Sequence, residues 1–305
     1  MTAHKEETIT YGAGRFVIEI PAVMQFNGTY SLRTHNIVEV AWPNAEPDKH
    51  ATEAWQAHVE LINKIEPPET RDRTLIEEKE LPGIGKWCKA VFYYHEPYDP
   101  DRGALDLLIN YGNTGLWIKS RNNWSSAKDI VFEIATEQAR AYRPPSEDEG
   151  RVAVLPNKDS FYLRYGAIDL PFEYKESVNI AFRGHPMDNE LSLEIETDVM
   201  NEAYKAGIID QLLAIIATKW APELKIDKIR TKKRTVAGLK GEEVVYLATE
   251  SETDKAYTFI WGYPGKARNA HHPLMKISME SQADNLEQKL ALWDAVLDSM
   301  RPACR

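Results

Sequence analysis

The sequence is short of cysteine, of basic charge and of long apolar runs, and each shortage closes off a class of protein. Only Cys88 and Cys304 occur in 305 residues. Two thiols build neither a disulfide framework nor a zinc site. They read as two unpaired thiols, or as a single bridge tying the tail to the first half if the protein is exported. No apolar stretch approaches the roughly 20 residues that a membrane-spanning helix needs. The opening Met1-Thr2-Ala3-His4-Lys5-Glu6-Glu7 has no apolar signal-peptide core, which leaves a cytoplasmic protein or one that has lost its export signal. Lys and Arg number 37 against 47 Asp and Glu, a net charge of -10. That balance excludes a nucleic-acid scaffold, because phosphate needs a basic face. Catalytic signatures are missing too. There is no G-x-S-x-G nucleophile elbow and no Walker A loop. Gly12-Ala13-Gly14 precedes a strand and does not open a helix after one, so it is no phosphate cradle.

What is present is an ordinary globular balance, 43% hydrophobic and 28% charged. The length suits two domains, each large enough to bury a core. Acid is concentrated in the first half and suits encounter with a basic partner, although excess carboxylate also serves solubility.

Period-2 alternation predicts strands at 15–21, 37–42, 74–81, 87–94, 105–110 and 116–120, and helices at 51–65 and 127–142, the latter with Ser126 as N-cap. The second half repeats this order. It has strands at 161–163, 179–182, 191–195, 228–236, 242–249, 257–261 and 273–280, and helices at 201–220 and 285–300. Shared landmarks keep a nearly constant offset: Gly83 with Gly238, Gly85 with Gly241, and Arg143-Pro144 with Arg301-Pro302. The fold class expected is α+β, with two similar domains produced by internal duplication. Each is a mainly antiparallel sheet packed against helices on one face. The domains run 1–146 and 159–305, and the linker 147–158 follows the hinge-like Pro144-Pro145-Ser146-Glu147-Asp148-Glu149-Gly150.

Candidate chemical groups are few. His271-His272 in an extended segment point to opposite sides and do not share a metal. His95-Glu96-Pro97-Tyr98-Asp99-Pro100-Asp101 lacks calcium-loop spacing and reads as a solvated turn between strands. The cations Lys225, Lys228, Arg230, Lys232, Lys233 and Arg234 read as a charged edge strand, which lysines protect from stray pairing. No cofactor or metal is called for. Aromatics beside turns are the candidate partner anchors: Tyr98, Trp117, Trp124 and Tyr263, with Asp99 and Asp101 to steer a basic partner.

Gly14-Arg15-Phe16-Val17-Ile18-Glu19-Ile20-Pro21 resembles the opening of the type VI secretion lipase-immunity proteins. The second half resembles that family's C-terminal domain. The cues are Gly238 with Gly241-Glu242-Glu243, then Phe259-Ile260-Trp261, then Pro273-Leu274-Met275-Lys276-Ile277-Ser278-Met279, and last the run from Leu290 to Arg301 that holds Trp293, Asp294 and Asp298. These motifs are structural, not catalytic. The resemblance implies a two-domain, non-enzymatic periplasmic protein. Its partner would be a cognate secreted phospholipase encoded next to it, gripped between two domains so that its pocket is occluded or its lid held. Contact residues do not carry over, because contact loops show no motif. The alternative from the residues alone is a duplicated binding module for a small ligand or an envelope component, without catalysis.

Overall fold

Alternating side chains place nearly half of the described residues in strands. The computed structural model describes residues 7–146, 150–155, 157–172, 175–202, 225–249, 251 and 254–304. The N-terminal half runs β1 (Thr8–Ala13), β2 (Phe16–Pro21), β3 (Gln25–Leu32), β4 (His35–Ala41), α1 (Pro47–Ile62), β5 (Leu75–Glu80), β6 (Trp87–Tyr93), β7 (Arg102–Asn110), β8 (Thr114–Trp124), α2 (Lys128–Ala141) and β9 (Tyr142–Arg143). The C-terminal half runs β10 (Phe161–Tyr162), β11 (Ala167–Ile168), β12 (Glu176–His185), β13 (Asp188–Asp198), β14 (Lys225–Val236), β15 (Leu239–Thr249), β16 (Lys255–Tyr263), β17 (Leu274–Gln282), α3 (Leu286–Ser299) and β18 (Arg301–Pro302). The helix expected at 201–220 lies outside the described residues from residue 203 onward.

The chain gathers into two compact units. The C-terminal unit takes Met1–Tyr30, Leu155–Tyr162 and Phe172–Arg305; the N-terminal unit takes Ser31–Val154 and Leu163–Pro171. The first strands therefore belong by contact with the end of the chain. β2 pairs with β1 on one side and with β18 on the other, Arg301 opposite Val17. Phe16, Val17, Ile18 and Ile20 are all buried, so both faces of β2 are covered.

In the N-terminal unit the strands lie in the order β4-β8-β7-β6-β5, all antiparallel. Alternation then sorts side chains to two faces. Trp55, Val59 and Ile62 of α1 pack with Val91, Tyr93, Leu108 and Trp117 on one face. Phe132 of α2 meets Phe92, which points the other way, at 6.2 Å between ring centres. Helices thus cover both faces, not one as expected, because consecutive residues along β6 and β7 are apolar on both sides. Ser126 does not cap α2. A short 3-10 turn at Ser125–Ala127 leads into the helix, and Ala127 occupies the cap position.

In the C-terminal unit the order β12-β13-β17-β16-β15-β14 is again antiparallel. Here the quoted family cues converge on one knot. Trp293 of α3 is fully buried against Phe259 at 5.7 Å. Trp261 donates its indole N–H to the Arg234 carbonyl at 3.0 Å. Arg230 grips Asp294 with two bonds of 3.0 and 2.9 Å, and Arg234 reaches Asp298 at 2.5 Å. Both guanidinium groups also pair with the fully buried Glu243. Such a carboxylate is tolerated inside only because cations surround it. β14 is the last strand of this order, and Lys225, Lys228, Lys232 and Lys233 are exposed along it. That is the lysine-bearing edge read from the sequence.

Alternation does not reveal β1 and β3, nor the two-residue strands β9, β11 and β18. In β3 the Asn27-Gly28 pair looks like a turn, yet Gly28 is there for close approach. A Cβ on it would lie 2.6 Å from the Ile180 side chain and 3.0 Å from the Asn179 carbonyl oxygen.

Trp293→Ala should cost about 3–5 kcal/mol through the cavity it leaves. Gly241→Ala should cost about 1–3 kcal/mol, because the new Cβ would sit 2.5 Å from the Gly262 oxygen and 2.6 Å from the Trp261 ring. Urea unfolding followed by tryptophan fluorescence measures both, and a change below about 0.5 kcal/mol in either contradicts this packing.

Candidate partner-binding surface

At one rim of the N-terminal unit β5 begins, β6 ends, β7 begins and β8 ends. The loop from Tyr94 to Asp101 joins β6 to β7, a connection with two prolines that the ladder cannot absorb. Tyr98 at its tip is 80% exposed, and Trp124, closing β8, is 54% exposed. The Arg102 guanidinium lies 4.4 Å from the Trp124 ring centre, a cation–π contact that holds the indole in place. Arg102 also reaches the Asn122 carbonyl at 3.2 Å and stands 3.6 Å from Asp99. The Asp101 N–H donates to the Asp99 carboxylate at 3.2 Å, and the Ser125 N–H donates to the Asp101 carbonyl at 2.8 Å. Tyr98, Asp99, Asp101 and Trp124 therefore share one braced surface.

The rim continues toward β5. The Tyr94 N–H donates to the Thr74 carbonyl at 3.0 Å, and the Arg71 guanidinium lies 5.6 Å from the Tyr94 ring centre. Beside them opens a groove of about 440 Å³ lined by Asn63, Ile65, Pro67, Asp72, Arg73, Thr74 and Leu75.

The other two aromatics expected as anchors are core residues. Trp117 is 8% exposed beneath α1, its ring 6.0 Å from Trp55 and 4.8 Å from His58. Tyr263 is also 8% exposed, at the end of β16 in the other unit, and burial raises its phenol pKa. Proximity to turn residues misled the reading of both. Each lies on a strand flank whose alternation points it inward.

Sequence reasoning also missed the group that supports the rim. Asp106 is fully buried in the middle of β7. It accepts hydrogen bonds from Tyr93 of β6 at 2.9 Å and from Arg121 of β8 at 2.5 and 3.1 Å, and it bonds His58 of α1 at 2.8 Å. Burial alone would raise its pKa. The bonds from His58 and Arg121, the Arg121 charge and the Tyr93 bond outweigh that and hold it at about 2. A carboxylate inside the apolar run Leu105-Asp106-Leu107-Leu108 was the available signal, since such a group needs cationic company. Among the described residues no Ser, Thr or Cys bonds to His58. Cys88 is a buried free thiol, and burial pushes its pKa up to about 12. Among the described residues no cluster of three or more His, Cys, Asp or Glu is placed to hold a metal, and no helix is long and apolar enough to cross a membrane.

Residues 155–303, from just before β10 through β18, match the family model of the Tle cognate immunity protein 4 C-terminal domain. Over these residues the chain is similar to the Tle cognate immunity protein 4 family. The match contains the whole Trp261–Glu243–Trp293 knot and stops short of the Tyr98–Trp124 rim. Solved structures resemble the entire chain. The apo structure of the type VI secretion immunity protein TplEi from Pseudomonas aeruginosa is 17% identical, with 98% of each chain covered and a TM-score of 0.75. A chain of the Tle4–Tli4 complex gives 17%, 97% of each and 0.75. TplEi in complex with the "L" peptide gives 17%, 97% of this chain, 98% of that one and 0.68. At such identity they show a shared fold. No curated protein matches the sequence.

Because Asp106 is held below its ordinary 3.8, it stabilises the folded state fully above about pH 4 and progressively less as pH falls toward 2. Asp106→Asn should cost about 2–4 kcal/mol at pH 7. The gap between wild type and variant should narrow between pH 4 and 2 in denaturant titrations. A gap constant across that window is the contrary result.

Proposed function

We propose that this chain is an immunity protein that binds and neutralises a type VI secretion phospholipase or lipase effector. The observation that carries the reading is the match of residues 155–303 to the Tle cognate immunity protein 4 domain. The likeness to a chain of the Tle4–Tli4 complex over 97% of both chains supports it. Neutralisation requires only that the lipase pocket be covered or its lid be held, since a lipase lid must open to admit lipid. Neither needs an acid, a base or a metal from the inhibitor, so the chain acts without catalysis. Its place of action on this reading is the periplasm.

The mechanism is a clamp to which both units contribute. Two linked surfaces on one partner raise the effective concentration of the second contact. Internal duplication underlies the two surfaces. The orders β4-β8-β7-β6-β5 and β13-β17-β16-β15-β14 correspond strand for strand. Gly83 and Gly238 take positive φ of 77° and 81° in the corresponding hairpin turns. After α2 and α3 the two-residue strands carry equivalent ion pairs, Arg143 with Asp169 and Arg301 with Glu19. On this reading the repeats divide within 147–158, and β1 and β2 are lent to the second repeat. Tyr98 and Trp124 are the anchors, with Asp99 and Asp101 at their rim.

Tyr98→Ala and Trp124→Ala should each weaken binding to the lipase encoded beside this gene by about 2 kcal/mol or more, read by calorimetry. Asp99→Asn with Asp101→Asn should mainly slow association and flatten its salt dependence. Trp117→Ala should instead lower stability. An intact chain with no affinity for that lipase refutes the assignment. Separately, the purified chain should turn over no ester or phospholipid. Turnover that survives repurification and disappears on a point substitution would show an enzyme.

A further inference from the structure

β5 is the last strand of its order and leaves a sheet edge beside the rim. Its register decides what that edge offers. The Leu81 N–H donates to the Cys88 carbonyl at 2.9 Å. Lys79 opposite Ala90 and Glu77 opposite Phe92 are then the hydrogen-bonded pairs. Glu78 and Glu80, between and beyond them, turn their N–H and C=O groups outward. Among the described residues nothing bonds to these outward groups.

The side chains add a sign. Glu77 is neutralised by Lys79 at 2.8 Å and Lys128 at 2.7 Å. Glu78 and Glu80 are exposed on the α1 face with no cation within ion-pair distance among the described residues. Lys89, opposite Glu80, leans over the Trp87 ring at 5.7 Å instead. The open edge is therefore acidic, whereas β14 carries lysines. Leu75, where β5 begins, also lines the 440 Å³ groove, whose apolar walls are Ile65 and Pro67. Open backbone groups, two unpaired carboxylates two residues apart and an apolar recess at the strand's start fit one kind of occupant.

We propose that β5 receives an extended segment of the effector as an added strand. The segment carries Lys or Arg at alternate positions opposite Glu78 and Glu80, and one apolar side chain enters the groove. This rests on the lipase-immunity reading and names the part of the partner that the N-terminal unit takes. Main-chain bonds supply affinity in such strand addition, and alternate side chains supply selectivity.

The test uses the full chain and the lipase encoded beside it. Hydrogen exchange should slow at least about tenfold at the Glu78 and Glu80 amides on complex formation. Glu78→Pro removes an outward N–H and no ladder bond, so it should keep the thermal unfolding midpoint and raise Kd at least tenfold. The double variant Glu78→Lys, Glu80→Lys should weaken binding as much, with a loss that shrinks at high salt. Unchanged exchange at these amides in a complex of full affinity overturns the proposal and leaves the immunity reading standing. Wild-type protein that does not bind the lipase removes both. Slowed exchange in the chain alone at high concentration, with a rise in molecular mass, assigns the edge to a second copy and also overturns the proposal.

Discussion

The rim of the N-terminal unit depends on one buried carboxylate. Asp106 ties β6, β7, β8 and α1 to a single point through Tyr93, Arg121 and His58. The loop that presents Tyr98 leaves β6 just past Tyr93, and Trp124 stands three residues past Arg121 on β8. An anchor loses affinity when it must be ordered on binding, so fixing the strand ends beforehand makes two exposed rings useful. The same group explains how a rim with few contacts of its own holds its shape: its rigidity comes from the sheet beneath it.

The C-terminal unit solves a similar problem with more charge. Glu243, Asp294 and Asp298 against Arg230 and Arg234 fasten the edge strand β14 to α3. Buried ion clusters add little to stability compared with apolar packing, but they penalise any register in which a partner is missing. In a hairpin as long as β14–β15, which carries a bulge between Lys228 and Arg230, a slip would strand Glu243 without a cation.

Much of this was legible. Strand and helix positions followed from period, and the family cues marked real packing because Gly241 lies against Trp261 and Trp293 lies against Phe259. Tyr98 and Trp124 were readable as exposed because Pro97, Pro100 and the end of a strand left them nowhere to be buried. Trp117 and Tyr263 were not, since local turn content says nothing about which face of a strand a helix covers. β1 and β3 escaped because their pairing is decided by distant residues such as Ile180. Asp106 was a visible anomaly in an apolar run, but its partners come from three other elements and no spacing rule connects them.

The placement of β2 also sets the order of events during synthesis. Its neighbours are β1 and β18, and the Glu19 N–H donates to the Ser299 hydroxyl oxygen, 280 residues further on. A ladder closed by the last strand is not complete until the whole chain has been made. The N-terminal unit, from Ser31 to Val154 with a short return segment, can assemble while translation continues. The other unit holds its first strands in waiting, and contacts of such long sequence separation form late and slowly. The C-terminal unit therefore stays open at β2 until the final residues of the chain emerge.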